Sequence, residues 1–330
     1  MPETIYIERS VSDHPRVARV LARFPKARRI SCERYTEVFN PKAQNFRLQK
    51  RHPALILARK PEGHLLPSPD GYAIGDGRNF YFSHMLNCLY DCRYCFLQGM
   101  YRSAHYVLFV NFEDFQGAID RQLNACDAQK TWFFSGYDCD SLAMESITGF
   151  VRDFLPFFAV RPTAWLELRT KSTQVSALLA RDPIPNCVVA FSFTPDETAR
   201  ALEHKAPSVD KRLAAMAKLQ ERGWRLGLRF DPLIYQDGFE DQYRRLYDSI
   251  FQALDPQQLH SVSLGSFRLP RGFFRSMRRL YPDEALFAGP LQVDKGMVSY
   301  RSDLESALRG FCSSELLRYI PKSVYFPCTY

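Results

Sequence analysis

Three of the nine cysteines in this 330-residue chain share one short stretch, Asn87-Cys88-Leu89-Tyr90-Asp91-Cys92-Arg93-Tyr94-Cys95-Phe96-Leu97-Gln98. Three thiolates at this C-x3-C-x2-C spacing can bind three irons of a cubane [4Fe–4S] cluster and leave the fourth iron open. An open iron is what an enzyme that cleaves S-adenosylmethionine (AdoMet) reductively requires. The stretch therefore predicts a cluster site with Cys88, Cys92 and Cys95 as its metal ligands.

Two other uses of three closely spaced cysteines are a structural zinc site and disulfide bonds. A structural zinc with a fourth ligand from elsewhere is disfavoured, because zinc sites usually pair two C-x2-C knuckles and the sequence has no second pair. Disulfides are disfavoured because the nine cysteines are an odd number. Residues 1–6 also lack the charged and apolar regions of a secretory signal. We therefore expect a reducing, cytoplasmic location.

Composition predicts one large globular enzyme. Hydrophobic residues make up 46% of the chain, and no apolar run approaches the roughly 20 residues needed to cross a bilayer. We therefore expect no membrane association. The net charge of +8 admits a polyanionic partner without requiring one.

Two arginine-rich stretches make the charge distribution more informative. The first comprises Arg16, Arg19, Arg23, Lys26, Arg28 and Arg29. The second comprises Arg268, Arg271, Arg275, Arg278 and Arg279, interleaved with Phe267, Phe273 and Phe274. Arginines sharing one helical face can hold phosphates, and aromatic rings can stack on bases. Each stretch could equally be an ordinary solvated face.

Alternating strand and helix patterns predict an α/β fold. An extended run at 79–85 is followed by predicted strands at 132–136, 164–170, 187–193, 226–231 and 260–265. Predicted helices cover 112–123, 141–154, 173–180, 209–222, 239–253 and 272–280. This order predicts a partial (β/α)6 TIM-like barrel with its active residues at the carboxyl ends of the strands. We expect residues 1–76 to form an N-terminal extension packed on the barrel, 77–269 the barrel, and 270–330 a C-terminal extension with a hairpin and a closing helix.

Further motifs resemble the spore photoproduct lyase family of radical AdoMet enzymes. They are Phe96-Leu97-Gln98, Arg169-Thr170-Lys171, Phe191-Ser192-Phe193, Asp210-Lys211-Arg212, Asp231-Pro232-Leu233-Ile234-Tyr235 and Asp237-Gly238-Phe239-Glu240. The resemblance runs from Ile5-Tyr6-Ile7-Glu8 to the C-terminal helix. It implies that the cysteines bind the cluster, that Tyr94 lies against AdoMet, and that Lys171 and Ser192 help to bind it.

The turn after the second predicted strand contains further candidate residues. Gly136 would let backbone groups approach the amino group of AdoMet. Asp138 or Asp140 could meet that ammonium group or cap a helix beginning at Ser141, and capping is favoured for Asp140.

The residues expected to donate a hydrogen atom to the substrate radical depart from the family pattern. The resemblance places Tyr137 where DNA-repairing members carry the cysteine that gives a hydrogen atom to the thymine radical. Cys139 lies two residues further on, so Cys139, Tyr137 or another donor could act, or the reaction could differ. The family's tyrosine after the last cluster cysteine is Phe96 here, and phenylalanine has no hydroxyl hydrogen to transfer.

The sequence thus predicts a carbon–carbon lyase that cleaves AdoMet to a 5′-deoxyadenosyl radical and acts on a crosslinked thymine lesion in DNA. The expected partners are DNA and an electron donor such as flavodoxin or ferredoxin, and a monomer is expected. Two alternatives stay open. One is the same radical chemistry on RNA or a nucleotide, and the other is a metal-bearing nucleic-acid-binding protein without turnover.

Overall fold

The computed structural model describes residues 2–74, 77–125 and 129–329. The predicted boundary between residues 76 and 77 adjoins residues 75 and 76, which lie outside the described residues. The N-terminal region contains β1 (Thr4–Glu8), α1 (Pro15–Arg23), β2 (Arg28–Cys32), α2 (Phe46–Gln49), β3 (Leu55–Ala58) and β4 (Leu66–Pro67). Helix α1 begins at Pro15, where a missing N–H costs nothing, and His14 Nδ1 accepts a hydrogen bond from the Arg16 backbone N–H at 3.1 Å.

The central region supplies most strands and helices of the molecule. It contains β5 (Arg78–Phe82), β6 (Met85–Leu86), β7 (Asp91–Cys92), α3 (Leu97–Met100), β8 (Tyr106–Phe109), α4 (Phe112–Asn124), β9 (Thr131–Ser135), α5 (Glu145–Thr148), α6 (Phe150–Ala159), β10 (Ala164–Thr170), α7 (Ser176–Leu179), β11 (Cys187–Ser192), α8 (Asp196–Leu202), β12 (Glu203–His204), α9 (Val209–Glu221), β13 (Arg225–Leu233), α10 (Phe239–Ala253) and β14 (Leu259–Ser266).

The main sheet has the strand order β14-β13-β11-β10-β9-β5-β4, and it curls into a partial barrel. Strands β5, β9, β10, β11, β13 and β14 run parallel in chain order, which confirms the predicted barrel. Every residue of β11 is buried because helices cover the outer face and the cavity wall lies inside. The carboxyl ends of these strands therefore meet on one side of the molecule.

A second sheet joins the N-terminal region to the central region. Its order is β2-β1-β3-β8-β6, so β8 pairs with β3 on one side and with β6 on the other. Strand β6 begins at Met85, three residues before Cys88, and leads directly into the cysteine stretch. The N-terminal strands thus support the segment that carries the cysteines.

The C-terminal region adds a small sheet and two long helices. It contains β15 (Arg268–Pro270), α11 (Arg271–Leu280), β16 (Leu291–Asp294), β17 (Met297–Tyr300) and α12 (Ser302–Leu316). The predicted hairpin is formed by β16 and β17, and the predicted closing helix is α12. Beyond α12 the chain runs beside β14, where the Cys328 N–H donates to the Leu264 carbonyl at 2.8 Å.

Two expectations need correction. The predicted helix from Ser141 to Phe154 is broken, because Gly149 adopts a left-handed conformation with φ 63° and separates α5 from α6. The arginine face of α1 is not a free cationic surface. Arg16 pairs with Asp153 at 2.8 Å and with Glu113 at 2.7 Å, and Arg19 pairs with Asp153 at 3.2 Å.

Within the ranges that the structure describes, none of the helices combines the length and hydropathy that a membrane crossing requires.

Candidate active site

One cavity of about 790 Å³ opens at the carboxyl ends of the parallel strands. Its wall brings together most residues predicted from the sequence, namely Cys88, Cys92, Tyr94, Cys95, Gly136, Tyr137, Cys139, Lys171 and Ser192. These residues come from four separate parts of the chain. The parallel topology gathers three of these parts, because they follow or end β9, β10 and β11 of the main sheet. The cysteine stretch follows β6 of the second sheet and is brought to the same cavity.

The cysteine stretch has a shape fixed by its own backbone. Asn87 adopts a left-handed conformation with φ 67°, and its side-chain amide donates to the carbonyls of Ser103 and His105 at 2.7 and 2.8 Å. Cys92 in β7 then pairs antiparallel with Glu203 in β12. Two distant segments therefore hold the stretch in place before any metal is bound.

The three thiols form a donor set suited to a [4Fe–4S] cluster. Burial raises the pKa of Cys92 to about 12 and raises those of Cys88 and Cys95, so the thiols are protonated without metal. The Tyr90 N–H donates to Cys88 Sγ at 3.4 Å, a type of contact that tunes cluster potential. In the described residues, no three His, Cys, Asp or Glu side chains are grouped to hold a single metal ion. A cubane instead distributes its thiolates over three irons.

Glu203 is the buried centre of the polar contacts behind the cysteine stretch. Its carboxylate accepts hydrogen bonds from the Tyr94 hydroxyl and from the Arg212 guanidinium. Lys171 Nζ lies 3.9 Å from Glu203 Oε1. Burial favours a neutral Lys171, but the Glu203 carboxylate opposes it, and the pKa of Lys171 lies above its ordinary value. A cationic amine therefore faces the cavity.

Asp140 fixes the ends of two neighbouring strands. Its Oδ1 accepts from the backbone N–H groups of Leu142 and Ala143 at 2.9 and 2.8 Å, as a capping residue does. Its Oδ2 accepts from the Lys171 N–H at 2.7 Å. The expected helix at Ser141 is absent, since the next helix begins at Glu145 with Met144 before it, so Asp140 binds the backbone of a turn rather than capping a helix.

Gly136 and Asp138 occupy different environments in the same turn. Gly136 has φ 89°, and an added Cβ would lie 2.6 Å from Ser141 Oγ, so the turn requires glycine. Asp138 is not among the residues lining the cavity. Its Oδ1 is buried without a hydrogen-bond partner among the described residues. This placement gives no support to a contact between Asp138 and the ammonium group of AdoMet.

Tyr137 and Cys139, the two candidate hydrogen donors, both line the cavity. The Tyr137 ring lies between Tyr81 and Phe96, with centroid distances of 4.3 and 5.3 Å, and it is 38% exposed. Cys139 is 7% exposed. Burial, followed by the nearby Asp138 carboxylate, raises the pKa of Cys139 well above its ordinary value. The Cys139 thiol is therefore protonated.

The cavity also contains charged residues that sequence reasoning did not select. Arg169 Nη1 lies 3.9 Å from Asp231 Oδ2, and Arg169 Nε lies 3.2 Å from the buried Glu167. Arg169 and Asp231 line the cavity, and they belong to the motifs Arg169-Thr170-Lys171 and Asp231 to Tyr235 quoted above. Glu203 was likewise not among the predicted site residues. Its position after a helix and before Lys205 carries no signal that it reaches the cysteines.

Comparison with known proteins supports the class of radical AdoMet lyases. Residues 80–286 match the family model described as spore photoproduct lyase, and the chain belongs to that family. Spore photoproduct lyase of Bacillus subtilis (strain 168) is 24% identical over 249 residues, which are 72% of each chain. The enzyme of Geobacillus sp. (strain Y412MC61) is 24% identical over 202 residues, 60% of this chain and 59% of the relative.

Solved structures share the whole fold. A double mutant of spore photoproduct lyase with bound AdoMet and dinucleoside spore photoproduct superposes with a TM-score of 0.87 at 18% identity, covering 100% of this chain and 99% of the other. A second spore photoproduct lyase structure, complexed with dinucleoside spore photoproduct, has a TM-score of 0.84 at 19% identity and covers 100% and 98%. At these identities the likeness establishes the fold.

Proposed function

We propose that this protein repairs a crosslinked thymine lesion of the spore photoproduct type in DNA by radical AdoMet chemistry. The observation that carries the proposal is the shared cavity, in which Cys88, Cys92 and Cys95 face Lys171 and Ser192 across the carboxyl ends of parallel strands. Family membership supports the lesion as substrate. The dinucleoside photoproduct bound by relatives is a ligand of a size that a cavity of about 790 Å³ can hold.

In this proposal Cys88, Cys92 and Cys95 would hold a [4Fe–4S] cluster. Together with bound AdoMet, the cluster would supply reductive cleavage of AdoMet to a 5′-deoxyadenosyl radical, with the electron coming from a flavodoxin- or ferredoxin-type donor. The role of the protein is to position the reactants and exclude water.

The AdoMet site follows from the charges and hydroxyl groups around the cysteines. The Lys171 ammonium would pair with the AdoMet carboxylate, and the Ser192 hydroxyl would bond a ribose or carboxylate oxygen. Tyr94, whose hydroxyl is fixed by Glu203, would present its ring to AdoMet. The backbone at Gly136 would approach the amino group, because no side chain blocks it.

Cys139 is the proposed hydrogen donor. Its protonated thiol lies in the cavity wall, whereas the Tyr137 ring packs at tilted angles against Tyr81 and Phe96 and is partly exposed to solvent. In the step, the S–H bond breaks, a C–H bond forms on the thymine radical, and the unpaired electron passes to sulfur. One electron from the donor protein and one proton then restore the thiol.

The reaction in D2O tests this assignment. Protein reconstituted anaerobically is incubated with AdoMet, reductant and irradiated DNA, and lesion, methionine, deoxyadenosine and deuterium in thymine are measured. We expect wild type to remove the lesion and place solvent deuterium in the repaired thymine, because thiol hydrogens exchange with water. We expect Cys139→Ala to lower deuterium incorporation at least about tenfold.

Two variants make the test decisive. Cys92→Ala, which lacks a cluster ligand, should form neither deoxyadenosine nor repaired thymine. Tyr137→Phe should retain more deuterium incorporation than Cys139→Ala. Unchanged deuterium in Cys139→Ala, together with its loss in Tyr137→Phe, would assign the donor to Tyr137. Deoxyadenosine formation without lesion removal by wild type would refute the DNA substrate and favour another nucleotide or RNA.

A further inference from the structure

Helix α11 carries an unusual concentration of arginines on its surface. Arg271, Arg275, Arg278 and Arg279 are all exposed. Their i, i+4, i+7 and i+8 spacing places the four side chains on one face of the helix. Phe274 and Met277 are buried on another face and attach the helix to the protein. The arginine face is thus a continuous cationic stripe.

These four guanidinium groups have no ion pair with a carboxylate of the described residues. The arginine stretch on α1 behaves differently, since Arg16 and Arg19 are paired with Glu113 and Asp153. Of the three arginines on α1, two are thus neutralised by carboxylates of the described residues, whereas all four exposed arginines of α11 keep their charge unpaired. An unneutralised cluster of like charges is the expected footprint of a polyanionic partner.

The position of α11 links this face to the cavity. The helix follows Arg268–Pro270 directly, and these residues and Phe273 line the cavity. On its other side α11 contacts α3, which begins two residues after Cys95. There Tyr281, at the end of α11, donates from its hydroxyl to Gln98 Oε1 at 3.1 Å. The arginine face begins at Arg271, directly after the cavity-lining Pro270, while Phe273 reaches the cavity from the opposite side of the helix. The amino end of the arginine face therefore lies beside the cavity wall.

We propose that the arginine face of α11 binds the phosphate backbone of duplex DNA and thereby holds the flanking strand while the lesion enters the cavity. This inference rests on the proposed DNA substrate and adds the surface that recognises it. A crosslinked base must leave the stack before it reaches a deep site. Phosphate contacts next to the opening would fix the position of the duplex without reading its sequence.

Binding to a DNA duplex of about 20 base pairs, measured at several salt concentrations, tests the surface. We expect the double substitution Arg275→Gln and Arg279→Gln to weaken binding roughly ten- to a hundredfold at about 0.1 M salt. The slope of log affinity against log salt should become shallower by about 2, since each lost phosphate contact removes about 0.9. Arg275→Lys with Arg279→Lys keeps both charges and should keep the wild-type slope.

The matched control is Arg28→Gln with Arg29→Gln. These two arginines are also exposed, and they lie on β2, the edge strand at the opposite end of its sheet from β6. We expect this control to bind DNA within about twofold of wild type, and thermal melting checks that all variants are folded. Equal losses in the α11 and control variants would overturn the proposal. Unchanged DNA binding by the α11 variant would also overturn the proposal. If that variant instead lost affinity for an acidic electron-transfer protein, the arginine face would bind that protein and not DNA.

Failure of the proposed function gives a different result. Lesion removal is measured with wild type alone, in the presence of AdoMet and reductant. Wild type that binds DNA through α11 but repairs no lesion would contradict the proposed function and leave the binding surface intact. Wild type that repairs the lesion while the α11 variant binds DNA normally would contradict only the surface.

Discussion

The hydroxyl of Tyr94 donates a hydrogen bond to the carboxylate of Glu203, which lies 109 residues further along the chain. Glu203 also pairs its backbone with Cys92 and its carboxylate with Arg212. Because all of these contacts are buried, one carboxylate holds the cysteine stretch against the opposite side of the barrel. The same carboxylate faces Lys171, so it also orients the side chain that is proposed to bind AdoMet.

Glu203→Gln should impair cluster and AdoMet binding together. The substitution leaves Arg212 and Lys171 without their counter-charge, and breaking a buried ion pair in this way costs about 3–5 kcal/mol of unfolding free energy. We expect lower iron and sulfide content after reconstitution. We also expect AdoMet to cause a smaller change in the electron paramagnetic resonance spectrum of the reduced protein.

Glu167→Gln separates these effects from general destabilisation. Glu167 and Arg229 form another fully buried ion pair, at 2.7 Å. We expect a comparable loss of unfolding free energy, with the AdoMet-dependent spectral change preserved. Identical spectra for the two variants would show that Glu203 acts only through stability.

Lys171→Gln should weaken AdoMet binding. A hydrogen bond to a charged group contributes about 1.5–3 kcal/mol, which corresponds to a roughly ten- to hundredfold higher Kd. Equilibrium binding of labelled AdoMet to reconstituted protein measures this change. Lys218→Gln, on the exposed side of α9, is the matched control and should bind like wild type. A Kd for Lys171→Gln within twofold of the control would exclude Lys171 from the AdoMet site.

Glu145 should make stability depend on pH. Burial raises its pKa from an ordinary 4.5 to about 7. Between these values the native state keeps a proton that the unfolded state has released, so unfolding free energy falls as the pH rises. Relative to Glu145→Gln, wild type should lose up to about 3 kcal/mol between pH 4.5 and 8. Denaturant titrations across this range measure the difference, and a constant difference would contradict the prediction.

Gly99→Ala and Gly310→Ala should have opposite effects on stability. A Cβ at Gly99 would lie 2.4 Å from the Phe273 carbonyl oxygen, so α11 would have to move away from α3. We expect a loss of more than about 1 kcal/mol. At Gly310, in α12, a Cβ would meet nothing within 4 Å, and alanine should stabilise by about 0.5–1 kcal/mol. Thermal unfolding measures both, and stabilisation by Gly99→Ala would refute the close packing of α3 on α11.

Periodicity predicted the barrel well because its signals are local. The six strands and the helix Phe239–Ala253 match the expected segments closely, since apolar spacing reports which side of each segment is buried. It missed the break at Gly149, where one left-handed residue interrupts an otherwise helical pattern. It also could not distinguish the arginines of α1 from those of α11. The pairing of the α1 arginines depends on Asp153 and Glu113, which are more than 90 residues away from Arg16 in the sequence.

The sequence by itself predicted the three cysteine ligands and determined the barrel and the family, because spacing within a motif and periodicity within an element survive without tertiary contacts. Only the tertiary structure decided which residues meet across the cavity. It turned Asp138 away from the cavity, kept Cys139 in its wall, and made Glu203 the common partner of Tyr94 and Arg212. These outcomes depend on strand ends converging from distant parts of the chain, and no local pattern records that convergence.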